Sequence, residues 1–287
     1  MTTSPLIDAR TLAGRLADPG WVVVDCRFRL TQPEAGRALY EESHLPGARY
    51  AHLDHDLSTP PPPGTGRHPL PAADVFAATL GGWGISNSST VVTYDDASGA
   101  VAARLWWMLR WVGHESALVL DGGIQAWEGA GLALERGNPV WGPAAFSVDG
   151  VREEWVVETG DIPNEIEQGA VLVDARSRDR FIGASEPIDP IAGHVPHAVN
   201  YPFSAALNSD GLMRDPGELK RELKRFTEHP RGLIAMCGSG VTACHLLLAA
   251  KAAGLGDGRA YIGSWSEWIS DSSRPIATGE ESSTAAP

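Results

Sequence analysis

Four short blocks of this sequence recur in its second half in the same order, and this repetition limits the possible folds more than any other feature. The paired blocks are residues 22–27 (VVVDCR) with 171–176 (VLVDAR), 44–48 (HLPGA) with 194–198 (HVPHA), 91–95 (VVTYD) with 233–237 (LIAMC), and 122–127 (GGIQAW) with 263–268 (GSWSEW). A chain of 287 residues is long enough for two compact domains. The pattern therefore predicts a duplicated domain.

Each half alternates short β-rich runs with longer runs of helical periodicity, which is typical of a parallel sheet covered by helices. The pattern predicts strands at 21–25, 90–94, 117–120, 170–174 and 232–236, and helices at 100–112 and 241–253. The expected fold class is α/β, with two tandem domains, each a mainly parallel sheet with helices on both faces.

Composition indicates where one domain ends and the next begins. Residues 137–150 contain Gly, Pro and Asn, which predicts a first domain at 1–140, a linker at 141–155 and a second domain at 156–278. Residues 279–287 are small and polar, and they predict a disordered tail.

The formal net charge of the chain is -13. Such a surface repels the phosphate backbone of nucleic acids and the headgroups of anionic lipids, so neither partner is expected. A small anionic substrate would then need a local cationic pocket set against this field.

Cysteine usage indicates a reducing compartment. The chain has only three cysteines and no CxxC pair, which disfavours a disulfide framework. The N-terminus lacks a cationic segment followed by an apolar stretch of signal-peptide length, and the longest apolar run, 246–250, is too short to span a bilayer. We therefore expect a cytoplasmic protein.

Cys237 lies at the end of a predicted strand, and small residues separate it from a predicted helix. They are Gly238, Ser239, Gly240, Val241 and Thr242. Small residues allow several backbone N–H groups to point at one centre, where the helix N-terminus adds positive potential. A thiol held there loses its proton more readily, and the thiolate is the reactive form. The alternative is a buried structural cysteine, the role expected for Cys26 and Cys244.

A thiolate between a strand and a helix also occurs in protein phosphatases and arsenate reductases. In those loops an arginine six positions after the cysteine binds the oxyanion. That position is Ala243 here, so phosphoryl chemistry is the weaker alternative.

Together these motifs resemble the rhodanese superfamily, and within it the tandem-domain thiosulfate and 3-mercaptopyruvate sulfurtransferases. The resemblance covers residues 6–278 and rests on 171–176, 193–200, 237–244 (CGSGVTAC) and 263–268. In that family only the second domain keeps the cysteine, and Asp95 occupies the corresponding position of the first copy here. The resemblance thus implies a catalytically silent first domain and a persulfide carried on Cys237.

The resemblance also implies roles for side chains around the cysteine. Arg180 would bind the substrate carboxylate, a task suited to a planar guanidinium, although a surface ion pair is the alternative. Ser239 would move a proton together with His68 and Asp56 of the first domain. His68 belongs to the segment 58–71 (STPPPPGTGRHPLP), which is interpreted either as a wall of the active site or as an extended surface loop.

Two features bear on the sulfur donor. The pair Gly238-Ser239 resembles the mercaptopyruvate enzymes, because thiosulfate enzymes tend to have basic residues at these positions. The segment 186–192 (EPIDPIA), however, lacks the second substrate arginine that mercaptopyruvate enzymes usually carry there. The resemblance therefore implies 3-mercaptopyruvate as the donor, with thiosulfate as the alternative.

The reaction implied is a two-step transfer from a small anionic donor to cyanide, a small thiol or a reduced protein dithiol. A non-catalytic rhodanese-like binding module is a further alternative. No organic cofactor is implied. A metal is not expected, because the cluster His52, Asp54, His55 and Asp56 lacks a matching set of ligands elsewhere.

Overall fold

The computed structural model describes residues 4–280, which form two α/β domains. The first domain has a five-stranded sheet and the second a four-stranded sheet, and all pairings between these strands are parallel. Parallel strands require crossover connections, which the helices supply on both faces. The predicted fold class is confirmed.

The strands are short, and those at the centre of each sheet are buried. They are β1 (Leu6–Ile7), β2 (Trp21–Asp25), β3 (Arg49–Tyr50), β4 (Thr90–Tyr94), β5 (Ala117–Leu120), β6 (Val171–Asp174), β7 (Val199–Asn200), β8 (Leu233–Met236) and β9 (Arg259–Ala260). The five predicted strands are found to within one residue. The four strands that were not predicted have two residues each, too few to give a periodic pattern.

Ten α-helices connect the strands within the described chain. They are α1 (Ala9–Ala13), α2 (Ala35–Glu42), α3 (Ala73–Gly82), α4 (Ala102–Trp111), α5 (Gly123–Gly129), α6 (Ile162–Glu167), α7 (Arg178–Phe181), α8 (Pro216–Thr227), α9 (Thr242–Ala252) and α10 (Ser264–Trp268). Short 3-10 helices lie at Glu153–Trp155, Thr159–Asp161 and Phe203–Ala206. The two predicted helices correspond to α4 and α9.

The two sheets have the same layout. Starting from the equivalent edge, the strand order of the first sheet is β3-β2-β4-β5-β1, and that of the second is β7-β6-β8-β9. A parallel bridge between Val156 and Ala260 lies beside β9 in the place that β1 takes beside β5. The duplication seen in the sequence is therefore a duplication of topology.

One hydrophobic core runs from the first domain into the second. It includes α3 and α4 on one side and α8 and α9 on the other, and α4 and α9 contact each other across the interface. Along β2, Val22 and Val24 face this shared core, while Val23 faces a separate core beneath α1, α2 and α5. A third core lies beneath α6, α7 and α10. Because the interface is part of the core, side chains of both domains can contribute to one site.

The first repeated block is structural in both copies. Asp25 accepts two hydrogen bonds from Nε of Arg27 and one from Nη2, and Asp174 and Arg176 repeat this buried pair. The guanidinium then donates to a backbone carbonyl, that of Ser43 in the first domain and its counterpart in the second. The pair thus ties the end of each strand to the residue that precedes the second repeated block.

The predicted linker, 141–155, packs against the first domain. The N–H of Ala144 donates to the carbonyl of Gly81 at 2.9 Å, and that of Asp149 to the carbonyl of Val112 at 3.3 Å.

Gly279, predicted to begin the tail, donates its N–H to the carbonyl of Ile182 at 2.8 Å. Residues 281–287 of the predicted tail lie outside the described residues. Within residues 4–280, every helix is too short or too polar to cross a lipid bilayer.

Candidate active site

Cys237 lies where β8 ends, and four residues separate it from the first turn of α9. Its exposed fraction is 2%. The backbone N–H groups of residues 238–242 make no hydrogen bond within the described chain. Gly240 has a φ of +76°, and a β-carbon there would lie 2.5 Å from the carbonyl oxygen of Ile262. The turn therefore requires glycine, as the sequence indicated.

The equivalent loop of the first domain contains its own anion. One carboxylate oxygen of Asp95 accepts from the N–H groups of Ala97 (2.9 Å) and Gly99 (2.8 Å), and the other from those of Val101 (2.7 Å) and Ala102 (2.8 Å). Ser98 and Gly99, with φ of +56° and +87°, make the left-handed turn of this loop, as Gly240 does in the second domain. A strand, glycine turn and helix of this fold thus hold a negative charge by backbone donors alone.

The block at 263–268 fixes the cysteine loop from its other side. Ser264 accepts a hydrogen bond at Oγ from the N–H of Cys237 at 3.1 Å. The N–H groups of Trp265 and Ser266 donate to the carbonyls of Cys237 (3.0 Å) and Gly238 (2.9 Å). This repeated block therefore aligns the loop.

The first domain delivers a histidine to the cysteine loop. The hydroxyl of Ser239 lies 2.7 Å from Nδ1 of His68, and Nε2 of His68 lies 3.2 Å from Oδ1 of Asp54. Burial lowers the pKa of His68, with the hydrogen bond to Asp54 opposing this effect. That hydrogen bond lowers the pKa of Asp54. Near neutral pH the histidine is thus neutral, with Nε2–H donating to the carboxylate and Nδ1 accepting from Ser239.

The partner of His68 is Asp54, so the assignment of Asp56 to this contact was wrong. Asp56 turns back and accepts a hydrogen bond from the backbone N–H of His52 at 2.7 Å. Two carboxylates so close in sequence point in different directions because a turn at residues 53–56 lies between the strand and the proline-rich segment.

Residues 66–68 of the segment 58–71 form a wall of the site, with His68 only 5% exposed, whereas residues 60–64 are an exposed surface loop. The N–H groups of Gly66 and Arg67 donate to the side chains of Glu267 and Ser266, both at 3.1 Å. A β-carbon on Gly66 would lie 2.5 Å from the carbonyl oxygen of Gly263. The segment is therefore docked on α10 at a place where only glycine fits.

Two guanidinium groups lie over the start of the cysteine loop. A β-carbon added to Gly238 would lie 3.0 Å from Nη2 of Arg67 and 3.4 Å from Nη2 of Arg180. Asp189 joins the two arginines, because it pairs with Nη1 of Arg67 and accepts from Nη2 of Arg180 at 2.8 Å. Glu186 accepts from Nε of Arg180 at 2.8 Å. Two guanidinium groups thus face the loop, but Asp189 and Glu186 offset their charge, so the expected cationic pocket has no net excess of positive charge.

Arg67, Asp54 and Asp189 were missed by the sequence reasoning. Arg67 supplies a second guanidinium although the segment 186–192 has none. The sequence did contain one indication of this role, because Arg67 directly precedes His68. A segment that brings one side chain into the site also brings its neighbours in the chain. Nothing local distinguishes Asp189 from other loop carboxylates, because its partner Arg67 is 122 residues away.

The other two cysteines suit structural roles. Burial raises the pKa of the Cys26 thiol well above its usual range, and it raises that of Cys244 to about 12. Cys244 donates its S–H to the carbonyl of Gly240 at 3.3 Å. Ala243, the position of the phosphatase arginine, is fully buried.

The cluster of His52, Asp54, His55 and Asp56, where no metal was expected, makes separate contacts: Asp54 pairs with His68, and Asp56 accepts from the N–H of His52. Glu34, His52 and His55 do have ligand atoms within 4.8 Å of one another. However, Nδ1 of His52 accepts from the backbone N–H of Asp54 at 3.1 Å, so the neutral ring carries its proton on Nε2, which faces Glu34. A protonated nitrogen has no lone pair for a metal, so this tautomer disfavours a site there.

Residues 8–130 and 159–271 each match the family model described as "Rhodanese-like domain". The chain belongs to the rhodanese family. A relative from Pseudomonas aeruginosa, named "Probable 3-mercaptopyruvate sulfurtransferase", is 45% identical over 288 residues, which cover 98% of this chain and 100% of the relative. A relative from Mycobacterium tuberculosis, named "Putative thiosulfate sulfurtransferase", is 38% identical over 283 residues, covering 96% and 97%.

The solved rhodanese-family structures are similar as well. That of 3-mercaptopyruvate sulfurtransferase from Leishmania major superposes with a TM-score of 0.81 at 32% identity, covering 92% of this chain and 74% of that one. The predicted family and the predicted enzyme class, a sulfurtransferase, are confirmed.

Proposed function

We propose that this rhodanese-family enzyme transfers sulfur from 3-mercaptopyruvate to a thiophilic acceptor through a persulfide on Cys237. The observation that carries the choice of donor is the hydrogen bond of 2.7 Å between Ser239 and His68, a proton relay delivered by the other domain. Mercaptopyruvate needs a proton moved during sulfur transfer, whereas thiosulfate does not.

In the first step, the Cys237 thiolate attacks the donor's sulfur and an S–S bond forms. The carbon–sulfur bond of mercaptopyruvate breaks, and its electron pair remains on the carbon as the enolate of pyruvate. The thiol proton of the donor is removed, and one proton is added to the methylene carbon. The products are a persulfide anion and pyruvate, so charge and protons balance.

The arginines suit the carboxylate and carbonyl oxygens of a 2-oxo acid. Arg180 and Arg67 both lie beside Gly238, where a bidentate guanidinium can hold the donor's carboxylate and where charge on the developing enolate oxygen would be stabilised. Asp189 and Glu186 already neutralise two positive charges there. A monoanionic donor is thus better matched to the pocket than dianionic thiosulfate.

The relay handles the proton. His68 is neutral and accepts at Nδ1, so it can take a proton through the Ser239 hydroxyl, and Asp54 then stabilises the imidazolium. The same group can return the proton to the enolate carbon. The backbone N–H groups of residues 238–242 are free to stabilise both sulfur anions, as those around Asp95 do for a carboxylate.

In the second step, the acceptor takes the outer sulfur. Cyanide gives thiocyanate and the Cys237 thiolate, and a small thiol gives its own persulfide. A reduced protein dithiol is oxidised to its disulfide while the outer sulfur leaves as hydrogen sulfide. The three cysteines of the described chain are all free, which supports a reducing, cytoplasmic location where such dithiols occur.

The test is intact-mass spectrometry after incubation with 3-mercaptopyruvate and no acceptor. We expect an adduct of about 32 Da on Cys237, lost on adding cyanide. Cys237→Ser should form no adduct and no thiocyanate, whereas Cys26→Ser should behave as wild type. Sulfur transfer by folded Cys237→Ser would contradict the proposal.

The rate of thiocyanate formation from cyanide, measured with each donor in turn, tests the alternative donor, which the name of the M. tuberculosis relative favours. We expect kcat/KM for mercaptopyruvate to exceed that for thiosulfate with the same acceptor. A strong preference for thiosulfate would overturn the donor assignment while leaving the persulfide in place.

A further inference from the structure

Arg104 is a charged residue buried without a counterion. It lies in α4 at the interface of the two domains, and its exposed fraction is 0%. Among residues 4–280, no carboxylate lies within ion-pair distance of its guanidinium. Burying an unpaired charge is costly, so a cation kept at such a place calls for a functional explanation.

The guanidinium joins the two segments that form the active site. Nη1 donates to the carbonyl of Gly240 at 3.2 Å, and Nη2 donates to the carbonyls of Leu57 (3.3 Å) and His68 (3.0 Å). Gly240 belongs to the cysteine loop, and Leu57 and His68 bound the proline-rich wall. One planar group therefore fixes the distance between the sulfur site and the proton relay.

The side chains of Cys244 and Cys237 act on the charge of Arg104. Burial lowers the pKa of Arg104, and negative charge on Cys244 or Cys237 opposes that effect. Cys244 remains a neutral thiol, because burial raises its pKa to about 12. His68, the other titratable group near the guanidinium, is kept neutral partly by the charge of Arg104. Because the guanidinium is bonded to the carbonyl of Gly240 in the cysteine loop, an anion formed on the Cys237 sulfur would lie in the field of this unpaired positive charge.

We propose that Arg104 is a positioning residue for sulfur transfer: its guanidinium holds the His68 segment against the cysteine loop, and its buried charge favours the anionic form of the Cys237 sulfur. This role rests on the proposed function, and it extends the site by a residue from the core helix of the silent domain.

Arg110 provides a matched control on the same helix. It is also buried, with an exposed fraction of 5%, but Glu115 and Asp257 neutralise it, and it has no contact with either active-site segment. A purely structural role for buried arginines of α4 predicts similar effects at both positions. The proposed role predicts an effect on Cys237 only at Arg104.

The experiment measures the rate of iodoacetamide alkylation at Cys237 against pH, with the modified peptide identified by mass spectrometry. Arg104→Gln removes the charge, so we expect alkylation at pH 7 to slow about tenfold and the midpoint of the pH profile to rise by about one unit. Arg110→Gln should leave the midpoint unchanged. An unshifted midpoint in folded Arg104→Gln, or an equal shift in Arg110→Gln, would overturn the proposal.

Arg104→Lys keeps the test decisive if the glutamine variant does not fold. Lysine retains the charge but cannot donate to three carbonyls in one plane. We expect its alkylation midpoint to stay within a few tenths of a unit of wild type, while kcat for mercaptopyruvate falls about tenfold with KM little changed. A kcat equal to wild type would refute the positioning role. Alkylation does not require sulfur transfer, so failure of the wild type to form a persulfide would contradict the proposed function separately.

Discussion

Replacing His68 with asparagine should separate the two sulfur donors. The relay runs from Ser239 Oγ to His68 Nδ1 (2.7 Å) and from His68 Nε2 to Asp54 Oδ1 (3.2 Å). Asparagine cannot accept a proton near neutral pH, so the reaction of mercaptopyruvate loses its proton transfer. Thiosulfate releases sulfite without a proton change, so its turnover should be nearly unaffected.

The magnitude follows from the geometry of the relay. General acid–base catalysis contributes about 100-fold to 10,000-fold. The lower end applies here, because the contact with Asp54 is long and the aspartate side chain is 35% exposed, so solvent screens its charge. We expect kcat for mercaptopyruvate to fall about 100-fold, equivalent to about 2.7 kcal/mol, and kcat for thiosulfate to change less than about threefold.

The assay is thiocyanate formation with cyanide in excess, with each donor in turn. His55→Asn is the control, since His55 is exposed in the same region and its ring stacks on His52 away from the relay. An equal fall with both donors would mean that His68 only holds the loop. Wild-type turnover of mercaptopyruvate by His68→Asn would refute the relay.

Three further predictions test the neighbours of the site. Asp54→Asn should lower mercaptopyruvate turnover about tenfold in the thiocyanate assay, whereas Asp56→Asn should chiefly lower the melting temperature; the reverse result would restore Asp56 to the relay. Gly240→Ala should destabilise the fold by about 2 kcal/mol in urea titration and abolish the mass adduct, because alanine is strained at a φ of +76° and collides with the carbonyl of Ile262; an unchanged adduct yield would show that the turn tolerates a side chain. Burial lowers the pKa of His245 to about 4, so the unfolded chain takes up a proton below about pH 6.5 that the fold excludes, and the free energy of unfolding should lose about 3 kcal/mol between pH 6.5 and 4. Urea titrations at pH 7 and 4.5 should show that His245→Phe lacks this loss of unfolding free energy. An equal loss in wild type and in His245→Phe would contradict the prediction.

The sequence alone predicted the features that depend on neighbouring residues. The buried strands, the helices after them and the glycine turn at Cys237 are encoded locally, because periodicity and small residues act on the backbone where they occur. The resemblance named Ser239 and His68 correctly as residues that meet, since the motif order fixes the topology.

The tertiary structure decided which way each side chain points and which residues far apart in the sequence come into contact. Residues 54 and 56 carry the same carboxylate, and only the turn between them determines that Asp54 contacts His68. Arg67 takes its place beside Arg180 because Gly66 docks on α10, a contact between residues about 200 positions apart. Arg104 lies in a helix whose pattern indicates only burial, and its three carbonyl partners come from segments that packing alone brings together. Such contacts follow from the free energy of the whole core, which no local stretch of sequence contains.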